Sequence, residues 1–198
     1  MLFLETLRIS RKIICNLNYH NQRFNETRAK FFGSPDTINL SDIIPLTGVQ
    51  DDKGYKCHIE YGERVQKVEI FPYKPKKVIS LKLVEDNAIE YPYKSIDRKI
   101  FYQLLKQKGE CDEIIIVKNG RITDTSISNL IFSDGSRWYT PDTPLLNGTQ
   151  RRRLIDEGLI YPVKITTADL NKYISLKMIN AMLPPDLSPE LPINNIIL

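Results

Sequence analysis

The chain has 198 residues, enough for one large domain or two small ones, and its hydrophobic (41%) and charged (26%) shares are those of an ordinary globular protein. No apolar run approaches the roughly 20 residues that cross a bilayer, and the opening MLFLETLRIS carries Glu5 and Arg8 with no small-residue cleavage site, so a signal peptide is not expected. The net charge is +4, but the basic residues are scattered and lack zinc spacing, RNP-like aromatics or a basic arm; nucleic-acid binding is not expected, and an anionic small ligand accounts for the excess equally well.

Cys15, Cys57 and Cys111 have no metal-ligand spacing, so reduced thiols in a cytoplasmic protein, and no metal, are expected. Leu2 to Ile9 alternates as a strand, with Lys12 to Leu17 as its hairpin partner beyond a turn at Ser10-Arg11. Asn18 is placed to cap a helix running to Phe32 and ending at Gly33. A short helix is predicted over residues 39–44 and a turn at Asp51-Asp52-Lys53-Gly54. A hairpin follows, 55–61 with 65–71, whose alternation puts Cys57, Ile59 and Tyr61 on one face. The two-proline stretch Pro72 to Lys77 is poor in helix and central-strand character. It suggests two domains, 1–73 and 79–198, joined by a linker at 74–78.

Val78 to Val84 reads as the first strand of the second domain. A helix is predicted to run to Lys108, with Ile96, Ile100 and Leu104 on its apolar stripe and Gly109 beyond its end. In Cys111 to Phe132, the run Ile114 to Val117, the dipeptide Asn119-Gly120 and the return Arg121 to Asp124 describe a two-residue hairpin, because a type I′ turn needs positive φ at both central positions. Thr125-Ser126-Ile127-Ser128-Asn129 then breaks the sheet with small polar residues before Leu130 to Phe132 resumes it. A strand at 137–140, a helix from Thr149 to near Gly158, a capping box at Thr166 and Asp169 over a helix at 168–173, a strand at 174–181 and an extended tail complete the chain.

The combination of an acidic-apolar strand, a glycine turn, an acid closing the return strand and a small-residue loop ending in Asn-apolar-Phe resembles the fold-type IV pyridoxal-phosphate enzymes. These are the class IV aminotransferases and their relative 4-amino-4-deoxychorismate lyase. The resemblance implies a mixed α+β fold of the D-amino-acid aminotransferase kind, with a small N-terminal α/β domain and a larger C-terminal pseudo-barrel. It also implies pyridoxal 5′-phosphate as cofactor, a small-molecule amine as substrate and a homodimer. Phe3-Leu4-Glu5-Thr6-Leu7-Arg8 resembles the family's core strand. The strand and Tyr-Gly-Asp-Gly turn that normally precede it are not in this chain, so part of the substrate-side wall is expected to be missing or supplied differently.

By the same resemblance Lys94, eighteen residues before Asp112 and just ahead of a helix, is the lysine that links to the cofactor and moves protons. Arg23, in a His-x-x-Arg-apolar element, reaches the cofactor phosphate, for which a guanidinium fork is suited. Asp124 takes the place of the family's glutamate at the ring nitrogen; being one methylene shorter, it needs a closer ring or a water. Ser126, Ile127, Thr149 and Gln150 hold the phosphate, with Thr149-Gln150 standing where the family has Ile-Thr at a helix start. Asn129 braces the loop. Arg98 touches the cofactor O3′ or the substrate, or is a plain helix-surface arginine. Asn180 lies in Ile179-Asn180-Ala181-Met182-Leu183-Pro184, which resembles the lyase ending more than the Thr-x-Thr pattern of aminotransferases. A lyase making 4-aminobenzoate and pyruvate for folate synthesis is therefore expected. The alternatives are a class IV aminotransferase acting on branched-chain or D-amino acids, and a non-catalytic paralogue that binds pyridoxal phosphate or another phosphate ligand.

Overall fold

A computed structural model describes residues 1–50 and 54–197, so the turn expected at Asp51-Asp52-Lys53-Gly54 lies mostly outside the described residues. The fold is mixed α/β, rich in strand and short of helix, and the chain divides into two compact units. One is Met1–Pro75 with Tyr93–Asp97, and the other is Lys76–Pro92 with Arg98–Leu198.

The first unit is a four-stranded antiparallel sheet with one long helix. Strand β1 (Phe3–Ser10) turns at Arg11 and Lys12, both at positive φ, into a β2 of only two residues (Ile13–Ile14). The expected partner strand over 12–17 is cut short because Asn16, at φ 54°, swings the chain into helix α1 (Leu17–Phe32). The cap residue is thus Asn16 and not Asn18, and Gly33 closes the helix at φ 65°. Asn39 accepts from the Ser41 amide and caps a single 3-10 turn, Leu40–Asp42. Strands β3 (Gly54–Tyr61) and β4 (Val65–Pro72) form the expected hairpin, and the sheet order is β2-β1-β3-β4. Tyr55, Cys57, Ile59 and Tyr61 of β3 and Phe3, Leu7 and Ile9 of β1 pack with Phe24 of α1 in one core. Glu5 occupies the same inward register of β1 and is completely buried.

Residues 93–97 belong to this unit because their backbone pairs with β1. The Leu4 amide donates to the Lys94 carbonyl (2.9 Å), and the Ile96 amide donates to the Leu2 carbonyl. That pairing corrects the helix expected up to Lys108: Ile96 is spent on β1 and 40% exposed, and α2 spans only Lys99–Leu105.

The second unit is built on a nine-stranded mixed sheet. Strand β5 (Leu81–Glu85) starts three residues later than expected because the Asp112 carboxylate accepts from the amides of Ile79 and Ser80. β5 runs parallel to β6 (Glu113–Lys118), and Asn119 (φ 51°) and Gly120 (φ 71°) turn β6 into β7 (Arg121–Thr125). β6 is buried on both faces: Ile114 and Ile116 meet Phe101 and Leu104 of α2, while Ile115 and Val117 enter the larger core around Leu130, Phe132 and Leu176. β8 (Asn129–Ser133) is followed by β9 (Trp138–Pro141), helix α3 (Thr149–Asp156) and β10 (Tyr161–Val163). The Asp169 carboxylate accepts from the Thr166 amide at the head of a 3-10 helix, Thr167–Lys172. β11 (Ser175–Ile179) lies along the whole of β8, while β7 and β9 pair with the two ends of β8. The tail is not simply extended. After β12 (Leu191–Pro192), β13 (Ile196–Ile197) pairs in parallel with β5, at the far side of the sheet.

Candidate active site

In the second unit the break between β7 and β8 is a tightly bonded loop. The Thr125 amide donates to the Ser128 carbonyl (2.8 Å), and the Thr125 hydroxyl oxygen accepts from the amides of Ile127 and Ser128. A hydroxyl bonding its own backbone two and three residues on is what ends the strand here. Ser126 donates its hydroxyl to the buried Glu113 (3.0 Å), whose other oxygen accepts from the Ile114 amide. The side chain of Ser126 and the amide of Ile127 are therefore engaged within the protein, and the Ile127 side chain is 51% exposed.

Asp124 closes β7 and is buried. Its Oδ1 accepts from Asn129 Nδ2 (2.8 Å) and its Oδ2 from the Leu146 amide (2.9 Å). Asn129 Nδ2 also donates to the Leu146 carbonyl. Burial pushes the Asp124 carboxyl up to about 6, against the opposing pull of the Leu146 amide, Asn129 and the Arg151 charge. The Asn129 amide oxygen lies hard against Gly148, the residue before α3, where any Cβ would overlap it. One asparagine thus fixes Asp124 to the start of α3, where Thr149 and Gln150 are each 2% exposed. Arg151 is likewise buried, donating to Thr140, Pro141 and Asn147, and so serves as a structural brace.

Arg98 and Asn180 meet the same loop. Arg98 Nη2 donates to the Ser126 carbonyl (2.6 Å), and its guanidinium lies over the Phe101 ring at 4.6 Å. Asn180 Nδ2 donates to the Ser128 hydroxyl (2.8 Å), while its Oδ1 accepts from the amides of Met182 and Leu183.

In the first unit a buried ion cluster forms on β1 and α1. Arg23 donates to Glu5 through Nε and Nη2, both at 2.7 Å, and His20 Nδ1 lies 2.6 Å from the same carboxylate. Burial alone would raise the Glu5 carboxyl, but the Arg23 charge and the bonds from His20 and Arg23 hold it down at about 2. Lys94 belongs to the segment paired with β1, close enough to His20 for its charge to disfavour the imidazolium.

The residues singled out in the sequence fall into two groups: Asp124, Ser126, Ile127, Arg98, Asn180, Thr149 and Gln150 in the second unit, and Lys94 and Arg23 in the first. Sequence reasoning passed over Glu113, Gly148, Arg151 and the Leu146 amide. It had a usable signal for Glu5, an acid on the inward register of an alternating strand. A pocket of about 360 Å³ in the second unit is lined by Glu90, Lys118, Arg121, Asp142 and Thr143 and reaches Thr123, the neighbour of Asp124, but none of these candidates lines it. Among the described residues no cluster of His, Cys, Asp and Glu could hold a metal ion, and no helix is long and apolar enough to cross a membrane.

The model of the family amino-transferase class IV matches residues 65–185, more than half of the chain. The chain belongs to this class IV family. An uncharacterised protein of Haemophilus influenzae is 39% identical over 180 residues, spanning 90% of this chain and 96% of its own. A crystal structure from Haemophilus somnus, of a protein provisionally named 4-amino-4-deoxychorismate lyase, superposes with a TM-score of 0.86 at 36% identity, covering 91% of this chain and 96% of that one. A Mesorhizobium loti protein provisionally named an amino-acid aminotransferase shares the fold over 99% of both chains, with a TM-score of 0.78 at 19% identity.

This class IV protein is thus an enzyme of a pyridoxal-phosphate family, and its residues fit that cofactor. Asp124 is a buried acid whose ionised form gains from a cationic partner, as a protonated ring nitrogen is. The start of α3 offers backbone amides behind a glycine held by Asn129.

Proposed function

We propose that this class IV enzyme is a lyase that converts 4-amino-4-deoxychorismate to 4-aminobenzoate and pyruvate. The observation that carries the reading is the Asp124–Asn129–Leu146 clamp, which ties a buried acid to the start of a helix. Two findings favour the lyase over an aminotransferase. One is the 36% identity to the Haemophilus somnus protein of that provisional name. The other is Asn180, which joins the end of β11 to the 126–128 loop within the lyase-like Asn-Ala-Met-Leu-Pro ending.

Pyridoxal phosphate, when bound, supplies an electron-withdrawing ring that stabilises negative charge on the carbon beside the substrate nitrogen. Lys94 would hold the cofactor through Nζ and, once the substrate amine has displaced it and freed its own amine, would take the proton from C4 of the substrate. Loss of that proton breaks the C–O bond to the enolpyruvyl group, which leaves and gains a proton as pyruvate, while the six-membered ring becomes aromatic. Asp124 keeps the ring nitrogen protonated by its negative charge. Asn129 and the Leu146 amide keep Asp124 from swinging away. Arg23, Thr149 and Gln150 hold the phosphate. Arg98 braces the loop through Ser126. On this reading the enzyme serves folate-precursor synthesis, and the class IV resemblance makes it a cytoplasmic homodimer.

The test is to incubate the purified enzyme, loaded with pyridoxal phosphate, with 4-amino-4-deoxychorismate and no keto acid. Release of 4-aminobenzoate and pyruvate in equal amounts is expected. Lys94→Ala should abolish it, together with the visible absorption that borohydride bleaches. Amino transfer that proceeds only with an added keto acid would instead make the protein an aminotransferase, and a Lys94→Ala protein that keeps the chromophore would remove the lysine from the proposal.

A further inference from the structure

Strand β1 turns Phe3, Glu5, Leu7 and Ile9 to the buried face, and only one of the four is charged. Desolvating a carboxylate there is costly, and buried ionic groups of this kind are often replaced by apolar side chains of similar volume without loss of stability. A local rule broken in a core is expected where function requires it. Glu5 uses both oxygens: Oε1 accepts from Arg23 Nε, and Oε2 accepts from Arg23 Nη2 and from His20 Nδ1. Two parallel bonds to one carboxylate fix the plane of the guanidinium as well as its position, which a lysine could not reproduce. Because an ionised carboxylate only accepts, His20 carries its proton on Nδ1, leaving Nε2 as the acceptor. The groups facing this carboxylate are Arg23 and His20 of α1 and Tyr61 of β3, with Lys94 acting on His20 from the segment paired to β1.

We propose that Glu5 is a positioning residue: it holds the Arg23 fork and the His20 tautomer in place, and through Arg23 it sets the preference of the apoenzyme for the phosphorylated form of its cofactor. The inference rests on the reading of Arg23 as a phosphate ligand. A carboxylate that merely neutralised a buried arginine would affect stability alike with or without a phosphate in the ligand. One that orients the fork affects only the ligand that carries the phosphate.

The experiment compares binding of pyridoxal phosphate and of pyridoxal to the apoenzyme, by equilibrium dialysis. Wild type should favour the phosphorylated form. In Glu5→Gln, which keeps the shape and loses the charge, affinity for pyridoxal phosphate should fall ~10-fold or more, as expected for loss of an oriented charge-assisted contact. Affinity for pyridoxal should stay within about twofold of wild type. Arg23→Lys, which keeps the charge and loses the fork, should show the same selective loss, and the double variant should be no worse than Arg23→Lys alone. Nitrogen NMR of the His20 ring should show Nδ1 protonated in wild type and a mixed tautomer in Glu5→Gln. Equal weakening of both ligands, unchanged discrimination, or additive losses in the double variant overturn the inference while leaving the cofactor assignment intact. Wild type that binds neither ligand overturns both. If Glu5→Gln does not fold, Arg23→Lys decides, since retained discrimination in that variant is incompatible with an oriented fork.

Discussion

Two carboxylates, each buried, are tuned in opposite directions by what surrounds them. Glu5 faces a guanidinium and an imidazole N–H, so its folded value of about 2 lies below its ordinary 4.5. Its stabilisation is complete above pH 4.5 and is lost as the pH falls through about 2. Asp124 faces neutral donors, with the Arg151 charge as a lesser influence, and its folded value of about 6 lies above the ordinary 3.8. Between these values the folded state binds the extra proton, so stability is greatest below pH 3.8 and declines as the pH rises through about 6. That rise amounts to about 3 kcal/mol. Asp124→Asn in the apoenzyme should therefore flatten the fall in urea midpoint between pH 4 and pH 7, and it should weaken pyridoxal phosphate binding. A variant with the wild-type pH slope would show that Asp124 is not the group that titrates there.

At the scale of the element, the join between β8 and α3 depends on Gly148. A methyl group there would overlap the Asn129 amide oxygen, and Asn129 cannot turn aside without giving up its bonds to Asp124 and Leu146. Gly148→Ala should destabilise the apoenzyme by ~2–4 kcal/mol in denaturant unfolding, the range for breaking a buried hydrogen-bond network. An unchanged midpoint would mean that the loop before α3 shifts freely. Elements whose signals are local were legible in the sequence. Asn119-Gly120 needs only its own φ angles, the hairpin of β3 and β4 follows from alternation, and Asp169 bonds Thr166 and Lys172 of its own turn. Elements decided by distant partners were not. Ile96 has the spacing of a helix stripe, yet β1 captures its backbone, and Asp112 takes two amides that would have lengthened β5. The clamp around Asp124 was only half legible. Asp124 and Asn129 are five residues apart in one segment, but the Leu146 amide that completes the clamp is a backbone group and leaves no mark on the residue sequence.

At the scale of the whole molecule, each unit has its own core, but the second is closed by the last residues of the chain. β13 joins β5, Ile196 enters the main core, and Asn195 donates to the Ile79 carbonyl (2.7 Å) across 116 positions. A tail with prolines at 184, 185, 189 and 192 has little tendency of its own to form a strand. Its pairing is imposed by the sheet edge that β5 presents, so the extended tail expected from composition becomes a structural closure. A contact of such sequence separation forms late, because the loop-closure entropy must be met before the pairing is rewarded. Ending the chain at Pro192 removes the Ile196 side chain from the core and uncovers the edge of β5. The truncated protein should lose ~2–5 kcal/mol, the scale of deleting one large buried aliphatic side chain, and it should aggregate more readily through the bared strand. If closure belongs to the late stage of folding, truncation should mainly speed unfolding and leave the refolding rate nearly unchanged, which stopped-flow chevrons resolve. Slower refolding with wild-type unfolding would place β13 among the first elements to form.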